Sequence, residues 1–131
     1  MQDLIKIKKF ELPIYSNKMI FVYSNSYRKI YDFAKSEGFH EDNLKDLKGT
    51  YQGYSVEVED EDPKGSTHLY MIVRKGKNKY EDIDTIAHEV THCVARIMES
   101  TDSSLNEHSE EAYAYLHGYL NKEFHKFKDG K

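Results

Sequence analysis

His88, Glu89 and His92 carry the strongest chemical signal in this chain. They stand in the run His88-Glu89-Val90-Thr91-His92, and residues four apart are neighbours on a helix face. Both imidazoles can therefore reach one point while Glu89 projects toward its rim. Two neutral imidazoles beside a carboxylate suit zinc hydrolase chemistry: the histidines hold the ion and the glutamate takes a proton from the water it activates. Three required residues, each with a frequency of roughly one in twenty, coincide by chance on the order of one time in a hundred in a chain of this size. The competing reading, two ordinary histidines on the solvated side of an amphipathic helix, stays open.

Two histidines leave a zinc site one protein ligand short, with the fourth position kept for water. Glu111 is the first candidate. It directly precedes Ala112, Tyr115, Leu116, Tyr119 and Leu120, whose spacing marks the packing face of a second helix. The polar connection from Glu99 to Glu107 is short enough to fold that helix back over the first. Glu110 points about 100° away from Glu111 on a helix, so only one of the two can face the ion. His108 and Asp102 are further alternatives. Position 95 is Ala and position 98 is Met, where a metzincin pattern needs glycine and a third histidine, and that pattern is excluded. Cys93 follows His92 directly, so it faces away from the metal as a small core residue. Developing oxyanion charge usually needs a second donor besides the metal; His117, Tyr113, Tyr115 and His108 are near enough in sequence to supply it.

These residues need elements to position them. Ile83, Ile86, Ala87, Val90, Val94, Ile97 and Met98 recur at helical spacing through the histidine motif, with Asp82 and Asp84 as cap or first-turn acids. Upstream, Met1 to Lys9 alternates as a strand, and Lys18 to Ser24 is a strand by its continuous apolar and β-branched content. Asn25 or Ser26 caps a helix running to about Glu37, with Gly38 as its stop. Residues 39–50 form a polar connection with a helical turn near Leu44 and Leu47. Tyr51 to Glu59 alternates, with Tyr54, Val56 and Val58 on one face; the turn-rich segment 60–66 then leads to a strand from His68 to Arg74, making a hairpin. Lys75 to Lys79 is a loop into the metal helix. The order β, β, α, β, β, α, α predicts one α+β domain over residues 1–131: a small, mainly antiparallel sheet packed on helices, with two consecutive metal-bearing helices in the C-terminal half.

Composition narrows the function classes. The 131 residues are 38 % hydrophobic and 32 % charged, enough for one core and not for two. No run of eighteen apolar residues exists, so no membrane helix is expected. The first residues lack the apolar core of a secretory signal, and one cysteine forms no internal disulfide; both favour a cytosolic location. The net charge of −4 gathers no nucleic acid. Lys122, Lys126, Lys128 and Lys131 form a basic tail, and Glu57 to Asp62 an acidic run; both read as solvated surface.

The pairing of HEVTHC (His88–Cys93) with EEAYAYLHGYL (Glu110–Leu120) resembles gluzincin metallopeptidases, and within them a group of small phage-encoded zinc metallopeptidases. The likeness covers residues 82–120. It implies a compact zincin-like fold, with His88, His92 and Glu111 as ligands of a Zn2+ ion and Glu89 as general base. It further implies a protein or peptide substrate, lying extended along a sheet edge formed by the last strand before the metal helix, His68 to Arg74. Two other readings remain. Repressor-cleaving peptidases of mobile elements share the histidine motif and a downstream acid followed by alanine, although this chain has Tyr113 where they carry asparagine. A catalytically silent zincin-fold binding module is the other, and an intact Glu89 argues against it.

Overall fold

The computed structural model describes residues 2–12, 15, 17–59, 67–101 and 105–130. Among them, four strands form one mixed sheet in the order β1-β2-β4-β3 (β1 Ile5–Glu11, β2 Lys18–Ser24, β3 Gly53–Glu59, β4 Thr67–Arg74). β1 and β3 are the edges and pair antiparallel with their neighbours, whereas β2 and β4 run parallel in the centre with Ile20 opposite Tyr70 and Val22 opposite Ile72. The sheet is thus mainly antiparallel, as expected, with one parallel pairing at its centre. Helices α1 (Tyr27–Ser36) and α2 (Glu41–Asp46) cover one face and leave the chain at the end where β2 finished, so β3 runs back along the sheet and β4 enters in the same direction as β2.

That strand order corrects one expectation. β4 is not a sheet edge: it is hydrogen-bonded to β2 on one side and to β3 on the other. Its run Leu69-Tyr70-Met71-Ile72-Val73 is buried throughout, as a strand covered on both faces must be, and an edge strand next to solvent would alternate. The edge beside the histidine helix is β3.

α1 begins where the capping residues place it. Ser26 accepts a hydrogen bond from the Lys29 amide at 3.2 Å, and Gly38 takes a positive φ of 82° just beyond the helix, the conformation glycine adopts at no steric cost. Ile30 and Ala34 of α1, with Phe39 and Leu47, cover Ile20, Val22, Tyr70, Ile72 and Val56 on one sheet face. The opposite face, Met19, Phe21, Tyr23, Leu69, Met71 and Val73, is covered by α3 (Lys79–Ser100) and α4 (Glu110–Lys128).

α3 starts earlier than Asp82. Asn78 is its N-cap, accepting from the amides of Tyr80 and Glu81 at 3.0 Å each. Asp82 is instead buried and accepts from Tyr23 Oη at 2.6 Å and the Gly76 amide at 2.7 Å, tying the first turn to the end of β2. Ile83 is 48 % exposed and leaves the apolar stripe.

α4 runs on through the basic tail, because Phe124 continues its buried row of Leu116 and Leu120. Tyr115, expected on that face, is exposed. Phe124 is fully buried and meets Phe21, Phe127 and Tyr23 at ring-centroid separations of 4.9, 5.3 and 6.4 Å. Truncating it leaves a cavity where α4 meets the sheet, so Phe124→Ala should cost about 3–5 kcal/mol; a urea titration that shows less than 1 kcal/mol would disprove this packing.

Burial also raises the pKa of four tyrosines, Tyr23, Tyr51, Tyr54 and Tyr119. Tyr23 and Tyr51 are pushed up mainly by desolvation, with the Asp82 carboxylate adding to the effect at Tyr23, and Tyr54 is pushed up to about 12 by burial and then by Asp46. A phenol that ionises at 10.0 when unfolded but higher when folded favours the folded state in its neutral form. Its contribution is full below pH 10 and is lost as pH climbs toward 12 and beyond. Stability should therefore fall between pH 10 and 12, and unfolding midpoints that stay flat across that window would contradict the burial of these rings.

Candidate active site

The histidine pair converges. His88 Nε2 and His92 Nε2 are 3.2 Å apart on the exposed face of α3, with ring centroids separated by 4.8 Å. Two imidazole nitrogens each bound at about 2.0–2.1 Å to a tetrahedral zinc ion sit ~3.3 Å apart. The spacing also accommodates one proton shared between neutral rings, so it suits a cation without requiring one. His88 remains 66 % exposed, leaving an approach from solvent.

Glu89 has a different setting. It is 5 % exposed, on the side of α3 that faces β3. Its Oε1 accepts from Ser55 Oγ at 2.8 Å, and its Oε2 lies 3.9 Å from His88 Nε2. A carboxylate taken out of water with one hydroxyl donor and no lysine or arginine bridge among the described residues costs stability. Such a cost is what an active site tolerates in order to hold a base in place. Gly53 lies against this carboxylate: a Cβ added there would come within 2.6 Å of Glu89 Cγ and Oε2.

An open cleft of about 350 Å³ begins at His88 and Glu89 and is walled by Tyr51, Gln52 and Gly53 on one side and by Asp84 and Thr85 on the other. Thr85 Oγ1 donates to Gln52 Oε1 at 3.1 Å, linking helix to strand across it. A larger hollow of about 400 Å³, lined by Lys9, Glu37, His68 and Tyr70 among others, lies at the other end of the sheet and holds none of the candidate residues.

Among the described residues the third arm is not assembled. Glu111 is exposed in the first turn of α4, as is Glu110; His108 is exposed and 3.6 Å from Glu107. Asp102 lies outside the described residues. Among the described residues, no group of three histidine, cysteine, aspartate or glutamate side chains is arranged to hold a metal ion. Of the residues considered as oxyanion donors, His117 lies against the histidine helix, with Nε2 3.1 Å from Thr91 Oγ1. Thr91 sits between the two motif histidines in sequence. Tyr113 packs against the core, and Tyr115 points to solvent.

Cys93 is buried, as its place after His92 implies, and burial pushes its thiol up to about 12. It is more than filling, because Sγ donates to Ser55 Oγ at 3.7 Å. Gly53 and Ser55 are the site residues that periodicity missed. Their signal was present: β3 alternates Tyr54, Val56 and Val58 on one face with Gly53 and Ser55 on the other, and small residues on a strand face mark close approach by a neighbouring element.

The two imidazole nitrogens suit a zinc ion on donor chemistry, and a carboxylate from Glu111 would complete the set, although among the described residues no third side chain stands with the pair. No protein-family model matches the chain, and no curated protein or solved structure matches it significantly.

Proposed function

We propose that this protein is a zinc-dependent metallopeptidase with a zincin-like arrangement, in which His88, His92 and Glu111 hold the ion and Glu89 is the general base. The observation that carries the reading is the 3.2 Å convergence of two imidazole nitrogens beside a buried carboxylate. Bound zinc supplies a Lewis acid that acidifies water and polarises a carbonyl. The remaining work belongs to the chain. Glu89 Oε2 takes the proton of the attacking water and passes it to the leaving amine, while Oε1 stays engaged by Ser55. His117, held near the motif by Thr91, would serve as the second donor for developing oxyanion charge by turning its Nε2–H from Thr91 to the substrate.

The substrate is a protein or peptide in extended form. Because β4 is central, strand addition falls to β3, whose outer backbone groups are unpaired by the sheet and whose first residues wall the cleft at Glu89. No helix among the described residues is long and apolar enough to cross a membrane, and a cytosolic location is proposed on the single buried thiol. The second reading, a silent binding module, is disfavoured by the cost of burying Glu89. The deciding experiment is hydrolysis of a mixed-peptide library by zinc-loaded protein, with Glu89→Gln in parallel; equal hydrolysis by both defeats the proposal.

A further inference from the structure

The two oxygens of Glu89 are not equivalent, and the asymmetry comes from β3. Ser55 Oγ carries one proton and two lone pairs. Cys93 Sγ donates into that oxygen at 3.7 Å, and the serine proton goes to Glu89 Oε1 at 2.8 Å. Cys93 and Glu89 are four residues apart on α3, hence on one helix face, and Ser55 lies on the strand opposite. Gly53, two residues earlier on the same face of β3, leaves the space that Oε2 occupies, since any side chain there would meet the carboxylate.

We propose that the edge strand β3 is the socket of the general base: the chain Cys93 Sγ to Ser55 Oγ to Glu89 Oε1 immobilises one oxygen, and Gly53 makes room for the other, so that Oε2 alone meets the reacting water. Ser55, Cys93 and Gly53 act through Glu89 and are positioning residues. The inference rests on the metallopeptidase reading for its catalytic meaning, but the socket itself is a statement about geometry.

The test compares wild type, Ser55→Ala, Ser55→Thr and Gly53→Ala for zinc stoichiometry, unfolding midpoint, and kcat and KM on a peptide drawn from the hydrolysed library. Ser55→Ala should keep stoichiometric zinc and its fold while kcat falls about 10- to 100-fold with KM unchanged. Ser55→Thr keeps the hydroxyl and should recover most of that loss. Gly53→Ala should lower kcat further at retained zinc; should it fail to fold, the two serine variants carry the test. Wild-type kcat in Ser55→Ala, or a threonine variant no better than the alanine one, overturns the proposal. If wild type hydrolyses nothing, the metallopeptidase reading fails on its own account. Crystal structures of wild type and Ser55→Ala then decide the socket: a carboxylate that turns away once the hydroxyl is gone supports it, and an unmoved carboxylate overturns it.

Discussion

Glu89→Gln should reduce peptide hydrolysis about 10²- to 10⁴-fold, the range a positioned general base contributes, while zinc remains bound at wild-type stoichiometry. Glutamine keeps the shape of the side chain, so the space beside Gly53 stays filled and its amide oxygen can still accept from Ser55. What it loses is the ability to take a proton. Because Glu89 is buried and among the described residues carries no ion-pair partner beyond the 3.9 Å approach of His88, removing its charge should leave the protein as stable or more stable. Loss of activity together with unchanged or raised unfolding midpoint is the combined expectation. A variant that loses activity by unfolding would mean the carboxylate has a structural duty instead.

The second large effect concerns the metal. His92→Ala removes one of two nitrogens set 3.2 Å apart, and should abolish stoichiometric zinc binding and hydrolysis together. Binding to the folded state alone stabilises it by about 2.7 kcal/mol at an ion concentration one hundred times the dissociation constant. Added zinc should therefore raise the unfolding midpoint of wild type by several degrees and leave that of His92→Ala in place. Glu111→Ala and His117→Ala belong in the same series. Loss of zinc in Glu111→Ala, with retention in His117→Ala, is the expected pattern for a carboxylate third arm; the reverse pattern would transfer that role to the histidine that bonds Thr91. Retention of stoichiometric zinc in both would remove α4 from the metal site altogether.

Much of this molecule was legible in its residues because the relevant rules act over one turn of helix or two residues of strand. Four-residue spacing alone puts His88 and His92 on one face, Ser26 and Gly38 bound α1, and uninterrupted apolar runs mark β2 and β4 as buried. The same local rules misjudged Ile83 and Tyr115, which are exposed, whereas Asp82 is the first-turn acid they expected. What they do not show is that this acid is buried and accepts from Tyr23, 59 residues away.

Strand order could not be read that way. Which of β3 and β4 lies at the edge depends on where α1 and α2 deliver the chain, and an apolar run such as Leu69–Val73 states that a strand is covered without saying by what. The bond from Ser55 to Glu89 spans 34 positions, and the close approach of Gly53 exists only once α3 has settled on the sheet. Chemical identity and spacing thus resided in the chain as written, because they need only neighbours in sequence. The seating of Glu89 against Ser55 and Gly53 came from long-range packing, whose contacts no local pattern encodes.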